Sequence, residues 1–165
     1  MMPNIVTLLI AAIVPMLVGF LWYSLLFGKS WMQVAGMTEE KIKSGNMPLI
    51  FGLSYLMSFL ASFLLFAMVV HQASLPSLFM GEEGFVTGSG DAFDQFTVLM
   101  EQFKGSFRTF KHGAFHGFFT GLLFVTPILA IQAMFERKGF KYVALNGGYW
   151  IVTLALMGGI LCQWG

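Results

Sequence analysis

In a chain of 165 residues, 57% are hydrophobic, only 10% are charged, and the mean hydropathy is +0.77. Soluble domains carry about a quarter charged residues, so a chain this poor in charge cannot cover a water-facing surface and takes lipid as most of its solvent. A net charge of +1 excludes the basic surface that a nucleic-acid partner requires, and the single cysteine, Cys162, leaves no intramolecular disulfide.

A spanning helix needs about 20 mostly apolar residues, each rising about 1.5 Å through a hydrocarbon core of about 30 Å. Residues 4–27, 48–70, 113–135 and 142–163 meet that need, and none of them contains Asp, Glu, Lys or Arg. The chain therefore reads as an all-α integral membrane protein, a single transmembrane domain over 1–165. It has four transmembrane helices plus one amphipathic interfacial or capping helix.

The N-terminus lacks the positive charge of a cleavable signal peptide, and the apolar stretch behind it is too long for one, so the first span is expected in the mature protein. Pro15 interrupts that span and removes the hydrogen bond to the Ala11 carbonyl. Trp22, Tyr23 and Trp31 mark its far border, where amphipathic rings prefer the headgroup level. The connection that follows, 28–47, sets Lys29, Lys41 and Lys43 against Glu39 and Glu40. The second span, 48–70, ends one residue before His71.

Residues 71–112 form the long extramembrane segment. Ser, Gly and Pro dominate 74–90, with the acidic pair Glu82 and Glu83, and predict irregular loop. From Asp91 to Lys111, Phe93, Phe96, Met100, Phe103, Phe107 and Phe110 recur at alternating spacings of three and four. That is one apolar stripe on a helix, expected to be buried in the membrane interface, across the mouth of the bundle, or against a partner. Gly105 is the expected place for a bend.

The third span opens on His112-Gly113-Ala114-Phe115-His116-Gly117. Gly113, Gly117 and Gly121 form a ridge without side chains that lets another helix approach closely, with Ala144 and Gly148, or Gly158 and Gly159, as opposing surfaces. His112 and His116 lie one turn apart on one face, and His71 falls at the same membrane border. Imidazoles at this spacing share a metal when a third His or a carboxylate such as Glu82 or Glu83 completes the set. Haem is disfavoured, because His112 and His116 project from one face and cannot be opposite axial ligands. Pro127 interrupts the span as Pro15 does the first.

The short connection 136–141 is basic, with Arg137, Lys138 and Lys141 against Glu136, while the long segment is net acidic. The positive-inside rule then places both basic connections in the cytoplasm and both termini outside. In the fourth span Asn146 and Tyr149 are the clearest polar residues, suited to interhelical hydrogen bonds. The absence of a charged side chain from every span counts against a proton-driven transporter.

The run Gly19-Phe20-Leu21-Trp22-Tyr23-Ser24-Leu25-Leu26-Phe27-Gly28-Lys29-Ser30-Trp31, followed by Gly36-Met37-Thr38-Glu39-Glu40, resembles the first-span signature of a family of small, mostly bacterial membrane proteins. The elements around His112-Gly113, His116-Gly117 and Asn146-Gly147-Gly148-Tyr149 resemble its later ones. This family is catalogued as domain of unknown function seventeen-sixty-one. Leu25 stands where the signature carries proline, and the segment 74–111 is longer than the family pattern. The resemblance implies a four-span membrane protein and brings no activity, substrate or cofactor.

The leading functional expectation is a non-catalytic membrane protein that acts by helix association, as a homo-oligomer or an accessory subunit of a larger complex. The glycine ridge and the phenylalanine stripe supply its two surfaces. One alternative is a metal or small-ligand site at the outer border, built from His71, His112 and His116. Another is a small oligomeric transporter or channel.

Overall fold

The computed structural model describes residues 2–165, and every regular element in it is helical. The elements are α1 (Ile5–Phe20), α2 (Gly28–Ala35), α3 (Glu39–Lys43), α4 (Met47–Val69) and α5 (His71–Ser74). They continue with α6 (Asp91–Phe103), α7 (Phe110–Thr120), α8 (Thr126–Phe135) and α9 (Phe140–Trp164). Four stretches are long and apolar enough to cross a membrane: Ile5–Leu26, Met47–Val69, Phe110–Phe135 and Phe140–Trp164. The chain is an all-α, multi-pass membrane protein.

The third and fourth spans begin three and two residues earlier than hydropathy alone placed them, so Lys111 and Lys141 ride on their first turns. Long cationic side chains at such positions reach back to the headgroups while their stems cover apolar surface.

Hydrophobic burial cannot drive helices together in lipid, so close packing and interhelical hydrogen bonds must do so. Here α9 is the central post, with α7, α8, α1 and α4 all packed against it. Leu8, Ala11, Leu65, Phe66, Val69, Met157 and Leu161 form the core between α1, α4 and α9. The glycine ridge faces α9: a Cβ on Gly113 would collide with the Gly158 carbonyl, one on Gly117 with that of Leu154, and one on Gly121 with Ile151. Gly158 is thus the opposing surface, whereas Gly148 faces the Trp22 ring instead.

Two departures from α-helical winding lie against α9. Leu21–Leu26 is a π-helical turn, closed by the Phe27 amide donating to the Trp22 carbonyl at 2.8 Å. Its extra residue lets Trp22 Nε1 donate to the Leu145 carbonyl at 3.0 Å while Tyr23 Oη donates to Asn146 Oδ1 at 2.9 Å. These rings hold α9 as well as marking the border. Gly121–Val125 is a second π-turn, ending two residues before Pro127. The wider turn accommodates a proline that has no N–H to give and whose ring would clash with a normal preceding turn. Pro15, by contrast, stays within α1, and its carbonyl accepts from Tyr149 Oη at 2.9 Å.

The expected single helix from Asp91 to Lys111 is corrected by the structure. α6 stops at Phe103, a turn follows, and α7 starts at Phe110, capped by Thr109, whose Oγ1 accepts from the His112 amide at 3.3 Å. The break centres on the expected bend at Gly105, and Phe107 takes a left-handed backbone at φ 60°. The stripe is therefore divided. Phe93 and Phe96 pack with Phe79 and Phe85 of the preceding loop, the Phe85–Phe96 centroids 5.1 Å apart. Phe110 packs on Gly159 and Trp164. Met100 is half-buried, and Phe103 and Phe107 stay exposed. The cause is local: two glycine-and-serine-rich positions, Gly105 and Ser106, sit between a helix that closes on its loop and one that must enter the bundle.

Candidate metal centre

The end of α4, the start of α7 and the end of α9 meet at one end of the bundle. Thr7 Oγ1 donates to the Trp164 carbonyl at 2.9 Å, and the Phe110 amide donates to Gln163 Oε1 at 3.1 Å. Cys162 Sγ–H donates to the carbonyls of Val69 and Phe107, at 3.4 and 3.3 Å. The first turn of α1 and the C-terminus of α9 lie at this same end.

His71 arrives here because Val70, fully buried, takes an extended conformation (φ −108°, ψ 96°) that ends α4 and swings the next residue toward α7. His112 and His116 stand one turn apart on α7 and face it. His71 Nε2 and His112 Nε2 are 2.9 Å apart, and one ligand nitrogen from each of the three rings lies within 4.8 Å of the others. Ring centroids are 5.0, 5.1 and 4.5 Å apart. Three imidazoles on a tetrahedral ion, with bonds of about 2.0–2.1 Å, place their nitrogens roughly 3.3 Å apart. The His71–His112 separation of 2.9 Å is a hydrogen-bond distance slightly shorter than that value, and the remaining nitrogens lie no further than 4.8 Å apart.

Among the described residues no carboxylate or thiol joins this group. Glu82 and Glu83 line a different, acidic depression on the loop with Gly84, Thr87, Ser89 and Asp91. Cys162 is turned onto its two carbonyls. The histidine site is open on one side, His71 being exposed and His112 and His116 half-buried.

The surrounding shell is apolar. The Phe107 ring stacks on His112 with centroids 5.0 Å apart and planes at 29°, and meets His71 edge-on at 6.3 Å. Phe115 meets His116 edge-on at 5.8 Å. A non-glycine residue in the left-handed region costs on the order of 1–2 kcal/mol, so something must hold it. Gln72, 6% exposed, donates through Nε2 to the carbonyls of Phe103 and Ser106, at 2.6 and 2.9 Å. Arg108 donates to the Gly165 carbonyl. These bonds strap the turn 104–109 across the histidines.

The model of the family described as protein of unknown function DUF1761 matches residues 6–162. The chain belongs to that family. No curated protein and no solved structure matches it. Family membership spans all four membrane helices and both parts of the histidine group, and it assigns no chemistry to them.

The sequence pointed to all three histidines but not to Phe107, Gln72 and Cys162 as the shell around them. Gln72 carried the one available signal, a long polar side chain directly behind an apolar span.

Proposed function

We propose that this protein binds a first-row divalent transition metal at one border of the membrane, through His71, His112 and His116. The observation that carries the reading is the convergence of one nitrogen from each ring within 4.8 Å, from two helices that nothing in the local sequence pairs. Imidazole ligands favour zinc, copper, nickel or cobalt over magnesium or calcium, which take oxygen ligands. Phe107 and Phe115 pack directly on His112 and His116 and limit the orientations their rings can take. With the basic connections 28–47 and 136–141 at the opposite end of the bundle, the positive-inside rule puts the site on the outer face of a bacterial inner membrane. The reading is of binding rather than turnover.

The test is metal content of the protein extracted in mild detergent and supplied in turn with zinc, cobalt, nickel and copper. Wild type retains about one ion per chain, and His112→Ala or His71→Ala loses it while keeping the unfolding midpoint of metal-free wild type. Wild type and variants with the same metal content would end the proposal.

Association is the second reading, favoured by the exposure of Phe103 (45%) and Phe107 (67%) beside the site. The glycine ridge and Phe93, Phe96 and Phe110 are already engaged within the chain, so any partner surface is narrower than the stripe. Native mass spectrometry of the same sample reads this directly: a monomer that retains its metal excludes assembly as the primary role.

A further inference from the structure

Resting on the metal reading, we propose that the site keeps one coordination position for an exchangeable small donor, either water or a monodentate anion of the azide or formate class. Closed structural sites of zinc-like metals take four protein ligands, whereas sites that exchange ligands hold three and leave the fourth position free.

Three protein donors are what the bundle supplies here. The thiol and the carboxylates nearest this end are engaged elsewhere. Cys162 Sγ is bonded to the Val69 and Phe107 carbonyls, on the side of the site toward α9. Glu101 is paired with Lys104 at 2.5 Å, and Glu82, Glu83 and Asp91 line the separate loop depression. Gln72 Nε2 is held by two carbonyls of the strap, while its Oε1 is buried without a hydrogen-bond partner.

The rings adjoining the histidines, Phe107 and Phe115, offer no lone pair. They add no further donor to the three imidazoles. The opening lies on the exposed side of His71, toward the water and headgroups at the border. A lipid phosphate and a free anion would present the same oxygen or nitrogen donor to that position. They differ in whether the occupant leaves with the bilayer.

The experiment uses the full chain loaded with cobalt(II), whose visible spectrum reports coordination number and ligand type. Sodium azide is titrated in detergent, and then in vesicles of phosphatidylcholine with and without phosphatidylglycerol. The expected result in detergent is a saturable change in the cobalt bands, fitting one azide per metal and absent from His116→Ala. Competition by phosphatidylglycerol in vesicles would identify headgroup phosphate as the resident donor. Equal titrations in all three media would identify a free anion or water, and both outcomes support an exchangeable position. Cobalt that binds but gives a spectrum indifferent to azide in every medium overturns the inference and leaves the metal reading standing. Failure of cobalt to bind at all refutes the metal reading itself.

Discussion

Replacing Gly117 with alanine probes how the bundle holds the two parts of the histidine site in register. A Cβ at this position would lie 2.6 Å from the carbonyl carbon of Leu154 and 3.0 Å from the Cα of Ala155, and closer still to the Leu154 oxygen. Carbon atoms in contact prefer about 3.5–4.0 Å, so α7 and α9 must part by roughly 1 Å. The obstacle is backbone, which has no rotamer to retreat into. Overpacking of this kind costs about 1–3 kcal/mol or more. The better helix propensity of alanine returns at most about 1 kcal/mol, so the clash wins. The matched control is Gly52→Ala on α4, where an added Cβ meets nothing within 4 Å and only the propensity gain applies.

Equilibrium unfolding in mixed micelles, followed by tryptophan fluorescence, should place Gly117→Ala below wild type and Gly52→Ala level with it or above. The same displacement reaches the proposed metal site, because His112 and His116 ride on α7 while His71 hangs from the end of α4. Metal sites tolerate distance errors of about 0.2 Å, so a shift several times larger should weaken cobalt binding by about tenfold with every ligand still present. A Gly117→Ala protein as stable as Gly52→Ala would refute the close α7–α9 packing on which this reasoning rests.

Phe107→Gly keeps the left-handed backbone available and removes only the ring, so the chain should fold normally while metal affinity falls about tenfold, measured by competition with a chelator. Gln72→Leu strands the Phe103 and Ser106 carbonyls. It should cost about 1–3 kcal/mol and raise amide exchange across 103–109, with the core of α9 unaffected. Tyr23→Phe removes the bond to Asn146 and should cost about 0.6 kcal/mol, the usual scale of an interhelical bond in lipid, with no change in metal content. Loss of metal in that variant would mean that the two ends of the bundle are coupled.

What was legible in the sequence was whatever the chain encodes locally. Uncharged apolar runs of bilayer length specify four helices, because only a helix satisfies its own backbone in lipid, and their number and order follow without any knowledge of contacts. Residues at spacings of three and four share a face by helical geometry, so His112 with His116, and Gly113 with Gly117 and Gly121, were determined before any packing was known. The same periodicity misled at 104–109, where the alternating phenylalanines continue although the helix does not. Spacing records which residues would align if a helix formed. Gly105, the Thr109 cap and the clamps from Gln72 and Cys162 decide that it stops.

Only the tertiary structure decided which ridge meets which groove, since side-chain-free surfaces such as Gly148 and Gly158 look alike in sequence and differ in what lies opposite. It also brought His71, grouped with the other two in sequence only by a shared membrane border, to within 2.9 Å of His112. That depends on the extended turn at Val70 and on α4 standing beside α7, a pairing of helices about 40 residues apart that arises from close packing around α9 and from no local pattern.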